Sequence, residues 1–193
     1  MSSNAEKLVV RIDADAITLV RYPFLSRNQG RTVLAKTVSD LVVGWAPPCF
    51  RTHDGEYLFV PADQLEALAC WGEDNQVAFK SRVDVWSMIL DPFLDTELDE
   101  AYLSRSRRTL AANGISEEEV SEMRRLVGTR MRLLTYQTWE WAYFGLFDVL
   151  EQMLPLTFTT GWAFDRFYDH ALELADRGNA TIATADEMRR SFL

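Results

Sequence analysis

The sequence predicts an α+β protein: a small β-rich N-terminal module over residues 1–80, formed by a curved sheet or partial barrel plus one helix, packed on a C-terminal antiparallel helical bundle over 81–193. Three observations lead there. Short β-branched runs separated by turn residues fill the first part of the chain. From about Arg82 the apolar spacing changes from that of strands to the 3.6-residue period of amphipathic helices. Finally, Tyr136, Trp139, Trp141, Tyr143, Phe144 and Phe147 crowd into barely three predicted helical turns. Each such side chain buries about 150–250 Å², so a helix carrying them on most of its circumference has to be surrounded.

Leu8–Ile12 and Ile17–Val20 are β-branched-rich runs on either side of Asp13-Ala14-Asp15, a turn between paired strands. Ser26–Gly30 is polar and reads as a loop, and Thr32–Ala35 and Leu41–Val43 read as two further strands. Phe50–Thr52 and Tyr57–Val60 flank His53-Asp54-Gly55-Glu56, whose Asp-Gly is the strongest hairpin signal in the chain. After Pro61, Ala62–Trp71 places Leu65, Leu68 and Ala69 at helical spacing, with Gly72 just past the end.

In the second part, Val85, Trp86, Ile89 and Leu90 share one side of a short helix that Pro92 limits. Asp95–Asn113 reads as the next helix, closed by Gly114. Ser116-Glu117-Glu118-Glu119 is a capping box, in which the hydroxyl satisfies a free N–H and Glu119 reaches back. The helix it opens runs to about Leu134 and is expected to continue into the aromatic helix 136–153, which Pro155 ends. A last long helix is expected over 160–176, and Thr184 begins a short terminal one. Short connections between such helices favour antiparallel neighbours.

Composition narrows the function classes. The net charge of −9 argues against nucleic acid or an anionic membrane surface as partner. Of the twenty basic residues only Lys7, Lys36 and Lys80 are lysine. Two cysteines, Cys49 and Cys70, are too few for a disulfide framework and lie in no CxxC, which indicates a reduced, cytoplasmic protein. Met1–Glu6 lacks a basic segment followed by an apolar run, so no signal peptide is expected. The most apolar stretch, Leu133–Leu154, holds Glu140, Asp148 and Glu151, which a bilayer centre would penalise.

Catalytic vocabulary is sparse. The two histidines, His53 and His170, together with two cysteines, form no ligand-type pair for a structural metal. Cys49 and His53 lie four residues apart, with no nucleophile signature around Cys49, and there is no phosphate-binding Gly-rich loop. No cofactor is implied. The arginines Arg105, Arg107, Arg108, Arg124, Arg125, Arg130 and Arg132 would bind an acidic partner or phosphorylated ligand if two helices presented them on one side; Glu100, Glu117, Glu118, Glu119 and Glu122 in the same interval favour internal pairing instead.

The functional expectation is a non-enzymatic interaction or regulatory protein, with a second copy or another protein as partner. The terminal helix, with Met188, Phe192 and Leu193, is expected to dock on its own bundle or on that copy. The alternative is a small-molecule-binding protein or minor enzyme with a pocket between the aromatic helix and the last long helix. Trp139, Trp141 and Trp162 would form its walls, and Glu140, Asp148 and Asp165 would orient the ligand.

Overall fold

The structure is a computed structural model that describes residues 8–94, 98–137, 143–154 and 161–190, without the side chains of 26, 135–137 and 161–163. It is α+β, with two open sheets. The chain divides into two compact units, Met1–Arg82 with Ala180–Leu193, and Val83–Asn179.

In the first unit, β1 (Val9–Ile12), β2 (Ala16–Arg21) and β3 (Thr32–Leu34) form an antiparallel three-stranded sheet in sequence order. A second sheet is built from β4 (Val38–Val43), β5 (Cys49–Thr52), β6 (Tyr57–Phe59), β7 (Ala78–Arg82) and β8 (Ala180–Ala183), in the order β6-β5-β4-β7-β8. The Asp54-Gly55 turn joins β5 to β6 as expected, with Gly55 at φ +90°. Helix α1 (Leu65–Asp74) carries the chain to β7, which runs parallel to β4, and β8 pairs antiparallel with β7. Leu41, Phe50, Tyr57, Leu58, Phe59 and Leu68 are fully buried, Tyr57 and Phe59 lying on the opposite face of their strand from Leu58, and Trp45 stacks on Tyr57 at 5.0 Å.

Gly72 lies within α1 and not beyond its end, as the spacing had predicted. A Cβ there would run into Leu41 on β4 and lie 2.9 Å from Phe79 Cζ on β7, so close approach to the sheet demands glycine inside the helix. The terminal segment, expected in the helical half, belongs to the first unit instead. β8 extends the sheet, and α7 (Ala185–Arg190), with Met188 buried, lies against α1, where Arg189 bridges Glu66 at 3.0 Å and Glu73 at 2.7 Å. Thr184 caps α7 as its sequence predicts, with Glu187 N–H donating to the hydroxyl at 3.2 Å.

The second unit holds α2 (Val85–Leu90), α3 (Glu100–Ala112), α4 (Glu117–Gln137), α5 (Leu146–Met153) and α6 (Gly161–Asp176). Helix α2 touches α3, α4 and α6, while α5 touches α4 and α6. Trp86 on α2 is fully buried, donates its indole N–H to Ala171 O at 2.9 Å, and meets Phe167 edge-on. The aromatic segment is not one helix over 136–153. Residues 143–145 are non-helical and a new helix starts at Leu146, because Gly145 is extended and the Asp148 carboxylate in the first turn accepts its N–H at 2.8 Å. Phe144 and Phe147 are buried, so the aromatic content does enter a core. Among the described residues no helix is long and apolar enough to cross a membrane.

Candidate functional site

The turn between α3 and α4 builds a cleft. At the end of α3 the Ile115 N–H donates to Leu110 O and the Gly114 N–H to Ala111 O, both at 3.0 Å, the paired bonds of a Schellman motif with Gly114 at φ +73°. That motif brings Ile115 onto Leu110, and both are buried. The predicted capping box follows: Ser116 N–H donates to Glu119 Oε2 at 2.9 Å and Glu119 N–H to Ser116 Oγ at 3.2 Å. Two rigid helix ends therefore leave Leu110, Ile115 and Val120 as the floor of a cleft of about 430 Å³, rimmed by Arg107, Ser116, Ser121 and Arg124. A second cleft, of about 350 Å³, adjoins it and is lined by Asp91, Pro92, Leu94, Leu98, Leu103 and Ser106. Arg107 and Arg124 line both.

These charges are incompletely matched. Arg124 is half-buried and donates Nε to Ile89 O at 2.8 Å and Nη2 to Met88 O at 3.1 Å, which places a cation on the last carbonyls of α2. Burial pulls its pKa down, with Asp91 opposing that effect and Arg107 adding to it. Arg107 is exposed and its ion pair is with Glu100 at 3.5 Å. Asp91 is 3% exposed and accepts hydrogen bonds from Tyr102 Oη and Ser106 Oγ, each at 3.2 Å. Burial raises its pKa, against those hydroxyls and Arg124. The internal pairing expected for the seven arginines is thus largely missing. Among the described residues, Glu100 is the single carboxylate within ion-pair distance of any of them, while Arg132 lies over the Phe93 ring at 6.0 Å.

A second polar cluster surrounds the start of α5. Asp84 caps α2 by accepting Ser87 N–H at 3.1 Å, and also accepts the Tyr143 hydroxyl. Gly145 fits tightly here, since a Cβ on it would lie 2.9 Å from Tyr143 Oη and 3.1 Å from Asp84 Oδ2. Burial pushes the Asp84 carboxyl up to about 6. Burial likewise pushes Asp148 up to about 7, with the charges of Glu151 and Asp84 adding to it. Among the described residues no Arg or Lys lies within ion-pair distance of Asp84, Asp91 or Asp148, and no group of three or more His, Cys, Asp or Glu could hold a metal ion.

Of the six residues proposed from sequence to line a pocket, Asp148 is buried in this cluster and Asp165 is exposed on α6. Trp139, Glu140 and Trp141 lie outside the described residues; Trp162 is the second residue of α6, and its side chain is likewise outside them. Cys49 is fully buried in β5, while His53 is exposed in the hairpin turn. His170 is a partly exposed helix residue 3.5 Å from Glu173. Arg124 is not singled out by its spacing from the other arginines, although it falls between Val120 and Val127 on the apolar stripe of α4, where a cation marks a boundary with something polar.

No protein-family model, curated protein or solved structure matches this chain.

Proposed function

We propose that the chain is a non-enzymatic binding protein of the cytoplasm, whose helical unit, α2–α6 arranged as an antiparallel bundle, takes up an organic anion in the cleft at the α3–α4 turn. One observation carries this reading: Arg107 and Arg124 come from different helices, line the same two clefts, and lack a buried carboxylate partner between them. Two guanidinium groups over an apolar floor suit a small carboxylate with a hydrocarbon tail, since charge-assisted hydrogen bonds fix the head and burial holds the tail. A regulatory role follows naturally if occupancy alters how the protein meets a second copy or another protein.

Calorimetric titration of the full chain tests the reading with 4-methylpentanoate and its neutral amide. Saturable binding of the anion is expected, and the amide should bind at least tenfold more weakly. Arg107→Gln, at an exposed position, should weaken the anion by about 1.5–3 kcal/mol and leave the melting temperature unchanged. Equal binding of amide and anion, or no binding of either, rejects the proposal.

A specific observation supports a second reading, a small-molecule site near α5 and α6 with acid–base capacity. Asp84 and Asp148 are held near 6 and 7, close to where a general acid or base works best. This reading falls if both carboxyls are fully ionised by pH 5.

A further inference from the structure

We infer that the anion held in this cleft is zwitterionic, a free α-amino acid with a branched apolar side chain, its carboxylate at Arg107 and Arg124, its ammonium at Asp91 and its side chain over Leu110, Ile115 and Val120. The inference rests on the anion-binding reading and sharpens it.

The two clefts differ in character and meet at the same pair of arginines. On one side the floor is aliphatic. On the other lies Asp91, 3% exposed and held by the neutral Tyr102 and Ser106 hydroxyls at 3.2 Å each. A carboxylate offers about four lone-pair sites, and two hydroxyl donors leave acceptor capacity over. Among the described residues no cation lies within ion-pair distance of it: Arg124 is near enough to feel the charge, its Nε and Nη2 hold Ile89 O and Met88 O, and its Nη1 donors remain for a ligand. A buried carboxylate without an ion pair to the half-buried guanidinium that lines the same cavity is costly unless something spans them. An α-amino acid carries both opposite charges on groups bonded to one carbon, with the side chain on a third bond of that carbon. Its shape therefore matches a junction with a cationic centre, an acidic arm and an aliphatic arm. A simple carboxylate satisfies two of those features and leaves Asp91 unanswered.

Calorimetry on the full chain with three probes separates the possibilities: L-leucine, 4-methylpentanoate, which lacks the ammonium, and 3-methylbutylamine, which lacks the carboxylate. Leucine should bind roughly ten- to hundredfold more tightly than 4-methylpentanoate, and the amine most weakly. Asp91→Asn should lower leucine affinity by at least tenfold and remove its advantage over 4-methylpentanoate. If 4-methylpentanoate matches leucine, the zwitterion inference fails and the anion reading stands. If neither binds, both fail. The wild-type series alone decides between these outcomes, should the variant not fold.

Discussion

Asp40 in the β-rich unit and Asp148 in the helical unit are both buried carboxylates, yet their surroundings act in opposite directions. Asp40 sits on β4 with Arg82 forked across it at 3.1 and 3.2 Å, Lys80 at 3.6 Å and Ser39 Oγ donating at 2.8 Å. Burial alone would raise its pKa, but the hydrogen bonds from Arg82 and Ser39 and the nearby positive charges outweigh burial and hold it below the usual carboxylate range. Glu56 in the same unit lies among Arg27 at 3.3 Å, Arg31 and Asn28 at 3.4 Å. In the helical unit, Asp84, Asp91 and Asp148 are held by hydroxyls and backbone N–H groups, and burial wins at all three. One unit pairs its buried Asp40 and Glu56 with cations of its own. The other keeps charge in reserve, the arrangement expected where a ligand or a proton is to be received.

The largest effect expected from this contrast is at Asp40. Removing it by Asp40→Ala takes from Arg82, whose side chain is 8% exposed, the carboxylate it forks across. Breaking such a pair costs about 3–5 kcal/mol, so the denaturant midpoint of the β-rich unit should fall sharply. A loss below about 1 kcal/mol would place the pair among inconsequential surface bridges and dissolve the contrast. The stabilisation from Asp40 is present above its ordinary value of 3.8 and is lost as pH falls through its lowered pKa.

A smaller effect of opposite sign is expected at Asp148. Its pKa of about 7 in the fold exceeds the ordinary 3.8, so its contribution is fully present below about pH 4 and is lost as pH rises through 7. Asp148→Asn removes the buried charge while keeping an oxygen to accept Gly145 N–H. The variant should therefore be more stable than the parent at pH 8, by on the order of 2 kcal/mol, and nearly equal to it at pH 4. Thermal melts at the two pH values read this directly. Greater stability of the parent at pH 8 would mean that an ionised Asp148 is welcome where it sits.

Most local elements were legible because their chemistry is local. The Asp54-Gly55 hairpin, the Ser116–Glu119 capping box, the Gly114 stop and the Thr184 start each depend on side chains within four residues of one another. Less legible were β7 and β8. The Ala78–Arg82 run carries Lys80 and Arg82, and Ala180–Ala183 is almost wholly exposed, with Ile182 at 94%, so neither shows a strand's apolar alternation. Partners far away in sequence create them, β4 for one and β7 for the other. The expected aromatic rod failed at Gly145 for the same reason, since Tyr143 and Asp84, far apart in sequence, close on that glycine. At the cleft, the arginine count was visible but not its geometry. Arg124 finds its carbonyls on α2, some thirty-five positions earlier, and Asp91, whose charge acts on Arg124, lies about as far back in the chain. Charges that are near in space and remote in sequence leave no periodic trace.

Carboxyl ¹³C NMR titration of the full chain tests the division between the units most directly. Asp148 and Asp84 are expected to titrate near 7 and 6 while Asp40 remains ionised below pH 3.8. Titration of all three together between pH 3 and 5 would contradict it.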